Sequence, residues 1–517
     1  MNTLNSLGQR LVTALEYRRT SADEREARLA TQQKVHVVGA GGTLTAAYEQ
    51  LRNAAENTEE HLLLQNAIKR FYKQSFITRD AELIARSGNE LAVELTLAGY
   101  IPNDSVISEQ LEQISQMALG YYRAYTQIQQ HRNIGLDRAS RWVLDVLAVR
   151  VEALISDHSR RAAFVDCAYQ YFAQRESIDE SSDKGANLLA AIHHALLKSD
   201  DAVVRSLLLN RYQVTAEGDV QIYIKFNRNI DKLLDAKTTT ALQHVVDREG
   251  APLRILRRMI DDEPQLPDLL TRRESFLERY EQYVTAEYAK ISTRISHAII
   301  RSVIFLIITK FLIGIAVEVP YDLWAHGEII WTVLLINLLF PPLYMIALRL
   351  THRLPGYANT TALVDRIDTM LYGGDRLTLA KSRANTRGYG MGFSVAYVVV
   401  ALIVFAGVTY GLARLGFAWV HIAIFFVFLS AASFLGFRLS RLIREIEVVD
   451  SNQNAVTIIR DIIYLPFVIV GRWMSDKYSR VNIVTILLDM AIELPLKTIL
   501  RLVRQWAAFI NDRKDAI

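Results

Sequence analysis

Four long apolar stretches lie within residues 299–437, and short polar segments or one longer basic loop separate them. They are Ile299–Val317, Ile329–Leu348, Phe393–Ala413 and Ala418–Phe437. Each holds about 20 residues, which is the length that a helix needs to cross the apolar core of a bilayer. The pattern therefore predicts a bundle of four transmembrane helices.

Lys and Arg are shared unequally among the connections between these stretches. The segment Glu318–Glu328 holds no Lys or Arg, whereas the loop 349–390 holds seven. Because basic loops stay on the cytoplasmic side, the counts predict that this loop and both chain ends are cytoplasmic. Residues 1–22 lack the apolar region of a cleavable signal peptide. We therefore expect a multi-pass protein of the plasma (inner) membrane.

Residues 1–290 repeat apolar positions at steps of three and four, as amphipathic helices do. One window alternates apolar and polar residues instead, as a strand does: Val220, Ile222, Ile224 and Phe226. The sequence predicts an all-α fold in which residues 1–290 form a large helical cytoplasmic domain, with at most one short β-hairpin around 214–226. The domain should end in a long charged helix, Leu269–Ile299, that runs into the first apolar stretch.

The tail, residues 455–517, combines apolar stretches that are too short to span with flanking charges. Polar residues recur at every fourth position near its end: Asp489, Glu493, Lys497, Arg501 and Gln505. Such a stripe is typical of an amphipathic helix that lies in the membrane interface. Lys497, Arg501 and Arg504 are candidate contacts with anionic headgroups. Whether residues 455–496 lie in the interface or re-enter the bilayer stays open.

The formal net charge of +4 conceals two halves of opposite sign. Residues 1–290 carry a net charge of −4, and residues 291–517 carry +8. The helical domain lacks the basic excess of a nucleic-acid binder, so we expect no nucleic-acid partner. The basic excess beside the apolar stretches suits the lipid bilayer and its anionic headgroups. We also expect an unidentified protein partner for the helical domain, and the pattern leaves oligomerisation open.

Lys310 lies near the middle of the first apolar stretch. A charge at that depth costs about 3 kcal/mol on insertion scales, so it faces protein or water. It is either an anion or proton site between helices or a structural residue. A structural Lys310 would be the partner of Asn337 in the second stretch or of a helix carbonyl, or it would snorkel along its stem. Glu318 and Asp322 fall at the predicted outer boundary, so the sequence indicates no second buried charge. Lys310 and Asn337 are the candidate intramembrane polar site.

Small residues four positions apart allow two helices to approach closely. This spacing predicts helix-packing positions in the third stretch, at Gly407 and Gly411, and in the fourth, at Ala432 and Gly436.

No motif for catalytic, cofactor-binding or metal-binding chemistry occurs in the sequence. The segment Lys34–Thr43 imitates a strand that enters a nucleotide-binding turn, but Leu44 replaces the small residue that the dinucleotide fingerprint requires. His193 and His194 would point about 100° apart on a helix and could not share a metal by spacing alone. The single cysteine, Cys167, is expected to be a small buried apolar residue. We therefore expect no metal and no cofactor.

Three functions remain after this inspection. The leading hypothesis is a non-enzymatic membrane protein that anchors a helical cytoplasmic domain and acts through protein contacts. The alternative is a small-solute or ion transporter or channel centred on Lys310. The third is a membrane-bound enzyme with a site that no motif reveals. A polar cavity reaching Lys310 would favour transport, and a dry bundle would favour anchoring.

Overall fold

The computed structural model describes residues 4–32, 34–37, 62–156, 159–176, 183–351, 355–373, 391–449 and 455–480, with residues 45–46, 49–50, 52–53 and 178. The described part is almost entirely helical and has no strand; an isolated β-bridge joins Lys34 and Ile107. The predicted all-α fold is confirmed. Two compact units are present, one formed by residues 4–246 and the other by the described residues that follow.

The N-terminal unit consists of helices of varied length, many of which share a large apolar core. They are Ser6–Thr31, Leu63–Ile77, Ala81–Ala85, Ser87–Leu97, Ser108–Gln129, Leu136–Ile155, Ser159–Glu176, Asp183–Ile192 with a π turn at His193–Leu197, Asp201–Arg211, Val220–Leu234 and Lys237–Glu249. The helix Leu136–Ile155 is central because it packs against three others, Leu63–Ile77, Ser108–Gln129 and Asp201–Arg211. It buries Trp142 completely.

The predicted hairpin around 214–226 is wrong, because the helix Val220–Leu234 occupies this window. The Asp219 carboxylate caps the helix by accepting from the backbone N–H of Gln221 at 2.8 Å. The buried residues recur at helical spacing: Tyr223, Ile224, Asn227 and Ile230. Ile222, which the strand pattern would bury, is 48% exposed. The alternation is too short to separate the period of a strand from that of a helix.

The C-terminal unit contains four helices that are long and apolar enough to cross a membrane. The first helix runs from Arg273 to Ala325 and includes a π turn at Gly314–Glu318. The other three are Trp331–Thr351, Met391–Arg414 and Trp419–Arg444. The apolar parts of these four helices are the first to fourth spans. The first helix continues beyond Val317, where the sequence predicts a connection to begin.

Three shorter helices pack on the polar half of the first helix: Ala251–Asp262, Leu266–Leu270 and Tyr357–Tyr372. The last of these, the loop helix, places Asp368 in a bidentate ion pair with Arg273, with both N–O distances 2.6 Å. The C-terminal unit begins at Asp247, and its helices between residues 251 and 270 pack on the first helix. The sequence places the end of the cytoplasmic domain at residue 290, and that boundary stays a prediction.

The base of the bundle is the polar half of the first helix together with the segments that pack on it. Asn359 of the loop helix joins three of these segments. Its Nδ2 donates to the Tyr288 hydroxyl at 2.8 Å and to the Ile446 carbonyl at 2.9 Å. Its Oδ1 accepts from the backbone N–H groups of Val448 and Val449 at 2.7 and 3.1 Å. The loop helix therefore holds both the first helix and the segment that leaves the fourth span.

The helix Ala455–Arg480, the tail helix, packs closely against the fourth span. An added Cβ on Gly471 would overlap the carbonyl oxygen of Ser430, which shows how near the two backbones lie. Phe467 stacks on Phe426, with 6.0 Å between the ring centroids. These contacts reach the central residues of the fourth span. For residues 455–496 the sequence leaves open an interfacial or a re-entrant position, and that choice stays open.

Two sequence predictions fall outside the described residues. The basic surface formed by Lys497, Arg501 and Arg504 belongs to residues 481–517, and the glycine-rich turn covers residues 38–44. The interfacial helix near the end of the chain therefore stays a prediction.

Candidate functional site: a buried polar cluster among the spans

Lys310 points into the C-terminal unit, where its ammonium pairs with the carboxylate of Glu318. The distance from Nζ to Oε1 is 2.7 Å, and each side chain is 1% exposed. The ammonium also lies 4.8 Å from the ring centroid of Phe428, within the range of a cation–π contact. The expectation that Lys310 faces no second buried charge is therefore wrong.

The π turn at Gly314–Glu318 explains why Glu318 faces Lys310. In an unbroken α-helix, eight steps of about 100° would leave the two side chains about 80° apart. A π turn closes an i→i+5 hydrogen bond in place of i→i+4 and so absorbs one extra residue. The eight residues then advance by about seven α-helical steps, which leaves the side chains of Lys310 and Glu318 about 20° apart around the helix. Asp322, one turn further on, falls on the same face. Glu318 is thus an inward-facing residue of the first helix rather than part of a connection.

Asn337 of the second span completes this ion pair. Its Nδ2 donates to Oε1 of Glu318 at 2.7 Å and to the backbone carbonyl of His421 at 3.4 Å. The two candidate residues of the sequence, Lys310 and Asn337, are therefore brought together through one carboxylate oxygen. Glu318 receives a counter-charge from one helix and a hydrogen bond from another, which stabilises its charge in an apolar surrounding.

A second pair, linked to the first through the backbone of His421, joins the first helix to the fourth span. Oδ1 of Asp322 and Nε2 of His421 are 3.2 Å apart, and both side chains are 0% exposed. Oδ2 of Asp322 accepts from the backbone N–H of Ile330 at 3.2 Å, which fixes the carboxylate beside the start of the second span. Nδ1 of His326, whose side chain is 37% exposed, lies 3.7 Å from the same Oδ1.

Several buried atoms of this polar cluster make no hydrogen bond within the described part of the chain. They are Asp322 Oδ1, Asn337 Oδ1 and both ring nitrogens of His421. Asp322 and His421 are near enough for an ion pair, but their atoms are not aligned as a hydrogen bond. A buried polar atom without a partner costs free energy and calls for a bound proton, water or ion as its explanation.

Aromatic rings pack against the imidazole of His421. Tyr321 packs edge to face against the imidazole at 5.7 Å between centroids, and Phe417 does so at 6.3 Å. Tyr321 also contacts the ring of Trp419 at 6.1 Å. These rings separate the imidazole from the surroundings of the helices and keep the second pair in a medium of low polarity.

The four small residues predicted at helix contacts have two different environments. Ala432 is fully buried, and an added Cβ on Gly436 would lie 2.6 Å from Cδ1 of Leu348 in the second span. Gly407 and Gly411 are exposed, and an added Cβ on either would meet nothing within 4 Å. Only 6% of the apolar part of the third span is buried, against 44% for the fourth. The close approach within the chain is thus made by the fourth span.

The candidate residues of the N-terminal unit have separate partners. His193 Nδ1 lies 3.2 Å from the Ser199 hydroxyl, while His194 Nε2 lies 3.2 Å from Asp201 Oδ1. Burial raises the pKa of the Cys167 thiol to about 12, so this cysteine stays protonated at neutral pH. Among the described residues, no group of three or more His, Cys, Asp or Glu side chains could hold a metal ion.

Sequence reasoning missed a buried ion pair in the core of the N-terminal unit. Arg205 is 4% exposed; its Nη2 lies 2.6 Å from Oδ1 of Asp231, and its Nη1 donates to Oδ1 of Asn227 at 3.0 Å. The indole N–H of Trp142 donates to the same Asp231 carboxylate at 3.2 Å. Charges on amphipathic helices usually indicate a solvated face, so no sequence signal distinguished this pair. Its contacts fix the packing of three helices and offer no reactive group.

No family model matches the chain, and neither curated proteins nor solved structures show a significant similarity to it. Two features of the polar cluster bear on function. Its charged groups are paired within the chain, and some of its buried atoms keep an unused capacity for hydrogen bonding.

Proposed function

We propose that the chain is a multi-pass protein of the plasma membrane whose spans anchor a helical cytoplasmic domain, and that this domain acts through protein contacts. One observation carries the proposal. Lys310, on which a transport site would be centred, is 1% exposed and is paired with Glu318 at 2.7 Å. Glu318 of the same helix neutralises this cation, and the pair is tied to the second span through Asn337, so Lys310 serves as a structural partner. This matches a closed bundle rather than an open pathway at Lys310.

The base of the first helix supports the anchoring role. The helix runs from Arg273 through the first span to Ala325 with only the π turn as an irregularity. The base is braced by the Arg273–Asp368 ion pair and by a hydrogen bond from the Tyr280 hydroxyl to the Pro252 carbonyl at 3.0 Å. A braced helical base that continues into a span suits the task of holding a domain at a fixed distance from the membrane.

The positions of tryptophans support the proposed orientation. Trp324, Trp331 and Trp419 flank the ends of the first, second and fourth spans where Arg414 is the one basic residue of the two connections, and they are 85%, 69% and 74% exposed. Tryptophan is enriched at the interface between a bilayer and water, where its indole is partly apolar and partly hydrated. This end of the spans therefore suits the outer interface, with the basic loop on the cytoplasmic side.

Fusions of a topology reporter test the orientation. Green fluorescent protein joined after residue 290, 370 or 450 should fluoresce, because these positions are expected in the cytoplasm. Alkaline phosphatase inserted near residue 324 should be active, because the enzyme matures outside. The basis is the contrast between seven basic residues in one loop and none in another. An active phosphatase at residue 370 would reverse the orientation and remove the cytoplasmic domain from the proposal.

A second candidate function, transport of a small solute or ion, is favoured by the unpartnered atoms of Asp322, Asn337 and His421. Buried ionisable residues within apolar helices often mark proton or ion pathways.

Flux into vesicles separates the two functions. Purified wild type and a Lys310→Met/Glu318→Gln variant are reconstituted, and uptake of protons, Na⁺, K⁺ and Cl⁻ is followed with ion-sensitive dyes. Anchoring predicts that the wild type equals protein-free vesicles for all four ions, because the charged pair is closed. Uptake by the wild type well above that of empty vesicles, lost in the double variant, would make transport the function of this chain.

A further inference from the structure

We propose that Asp322 and His421 form a proton-binding site inside the bundle, and that His326 connects this site to the solution. The inference concerns a different pair from Lys310 and Glu318. It does not depend on the anchoring role, because a bundle that binds a proton need not conduct one.

The burial and closeness of the two side chains favour one proton bound by the pair. Both are fully buried, and the carboxylate oxygen lies 3.2 Å from the ring nitrogen. With no proton present, Asp322 would be a buried anion beside a neutral ring, which is costly in an apolar surrounding. With one proton, the pair is either imidazolium with carboxylate or imidazole with carboxylic acid, and both forms are neutral as a whole. The proton thus removes the uncompensated charge.

The groups packed around the pair do not supply a counter-charge that would replace this proton. On the first helix, Glu318 and Lys310 neutralise each other, and Tyr321 presents its ring face to the imidazole. On the second span, the uncharged amide of Asn337 donates a hydrogen bond to the backbone carbonyl of His421. The fourth span contributes the Phe417 ring near its start. His326 is the further titratable side chain within 4 Å of the Asp322 carboxylate among the described residues.

His326 offers the route for exchange with the solution. Its Nδ1 is 3.7 Å from the Asp322 oxygen that also faces His421, and 37% of its side chain is exposed. A small movement of this ring would bring it within hydrogen-bond distance of the carboxylate. His326 can therefore pass a proton between solution and Asp322, which affects the rate of exchange but not the equilibrium of the buried pair.

Release of the proton should weaken the contact between the first helix and the fourth span. In the proposed site the folded chain holds one proton on the buried pair, and unfolding exposes both groups to water, where burial no longer requires that proton. A folded state that binds more protons than the unfolded state loses stability as pH rises. The site therefore makes the contact between the first helix and the fourth span depend on a bound proton.

Thermal unfolding of the full chain in lipid nanodiscs at pH 5 to 9 tests the proposal. The comparison is between wild type and Asp322→Asn, which removes the buried carboxylate at nearly constant shape and should fold. The quantity to follow is the apparent Tm of Asp322→Asn minus the apparent Tm of wild type. This difference should increase by about 3 °C or more between pH 5 and pH 9, because about 1 kcal/mol shifts the Tm of a domain of this size by that amount. Parallel Tm curves for the two proteins would overturn the proposal.

Two histidine variants identify the partner of Asp322. His421→Gln should move the pH-dependent difference from Asp322→Asn to lower pH, because the buried carboxylate must then hold the proton without help from the ring. The matched control His326→Gln should leave the difference where it is, because His326 only relays the proton. The reverse result, in which the control moves the difference and His421→Gln leaves it in place, would assign the proton to the exposed ring and contradict a buried site. If His421→Gln does not fold, the comparison of wild type with Asp322→Asn still decides.

Discussion

Replacing Lys310 with Met is expected to destabilise the C-terminal unit by about 3–5 kcal/mol, the usual cost of removing one partner from a buried ion pair. The carboxylate of Glu318 is 1% exposed and would lose its buried counter-ion. Met fills a similar volume, so lost packing contributes little. Unfolding of the purified protein in mixed micelles, followed by tryptophan fluorescence, measures the change.

The double variant Lys310→Met/Glu318→Gln provides the decisive comparison. With both charges removed, its stability should return to within about 1 kcal/mol of wild type or exceed it, since desolvation of the pair is no longer required. Gln at position 318 can still accept the hydrogen bond from Asn337. Arg301→Met, at an exposed position of the same helix, is the matched control and should change stability by less than about 0.5 kcal/mol. Equal losses in the single and double variants would show that the pair is not energetically coupled.

Replacing Asn359 with Leu is expected to release the loop helix from the base of the bundle. The change removes four hydrogen bonds, with Tyr288, Ile446, Val448 and Val449. A buried polar group that loses its partner costs about 1–3 kcal/mol. The backbone at Val448 and Val449 is partly exposed and can bind water instead. A loss of about 2–3 kcal/mol is therefore expected.

Hydrogen–deuterium exchange locates this effect. Peptides covering residues 357–372 and 445–449 should exchange much faster in Asn359→Leu than in wild type, while the fourth span keeps its protection. Thr361→Val is the control on the same helix, because the Thr361 hydroxyl is exposed and bonds only to the Tyr357 carbonyl of its own helix. Unchanged exchange at residues 445–449 in Asn359→Leu would mean that the loop helix does not hold this segment.

The spans and the long charged helix could be predicted from the sequence because their signals extend over many residues. An apolar run of about 20 residues has few alternative explanations, and the helical period of Leu269–Ile299 continues for several turns. The segment around Ile222 could not be assigned, because an alternation over only the seven residues 220–226 suits either a strand or one face of a helix. The helix forms there because Asp219 caps it and Tyr223, Ile224 and Ile230 together reach the core.

Only part of the polar cluster could be predicted from the sequence. Lys310 and Asn337 were found because a polar residue stands out within an apolar stretch. Glu318 was assigned to a connection, since an ideal α-helix does not align positions eight residues apart and a π turn has no sequence signature. The steps of four that connect Lys310, Gly314, Glu318 and Asp322 were the available clue. His421 could not be linked to Asp322 without the packing of the fourth span on the first.

The length of the first helix has a mechanical consequence. Its 53 residues give about 80 Å at about 1.5 Å per residue, whereas the hydrocarbon core of a bilayer takes about 30 Å. A long arm therefore extends from the membrane toward Arg273. A change of about 10° in the tilt of the span, as a thinner or thicker bilayer imposes, moves a point roughly 40 Å along this arm sideways by roughly 7 Å. Bilayer thickness is thereby converted into lateral movement of the braced end of the helix.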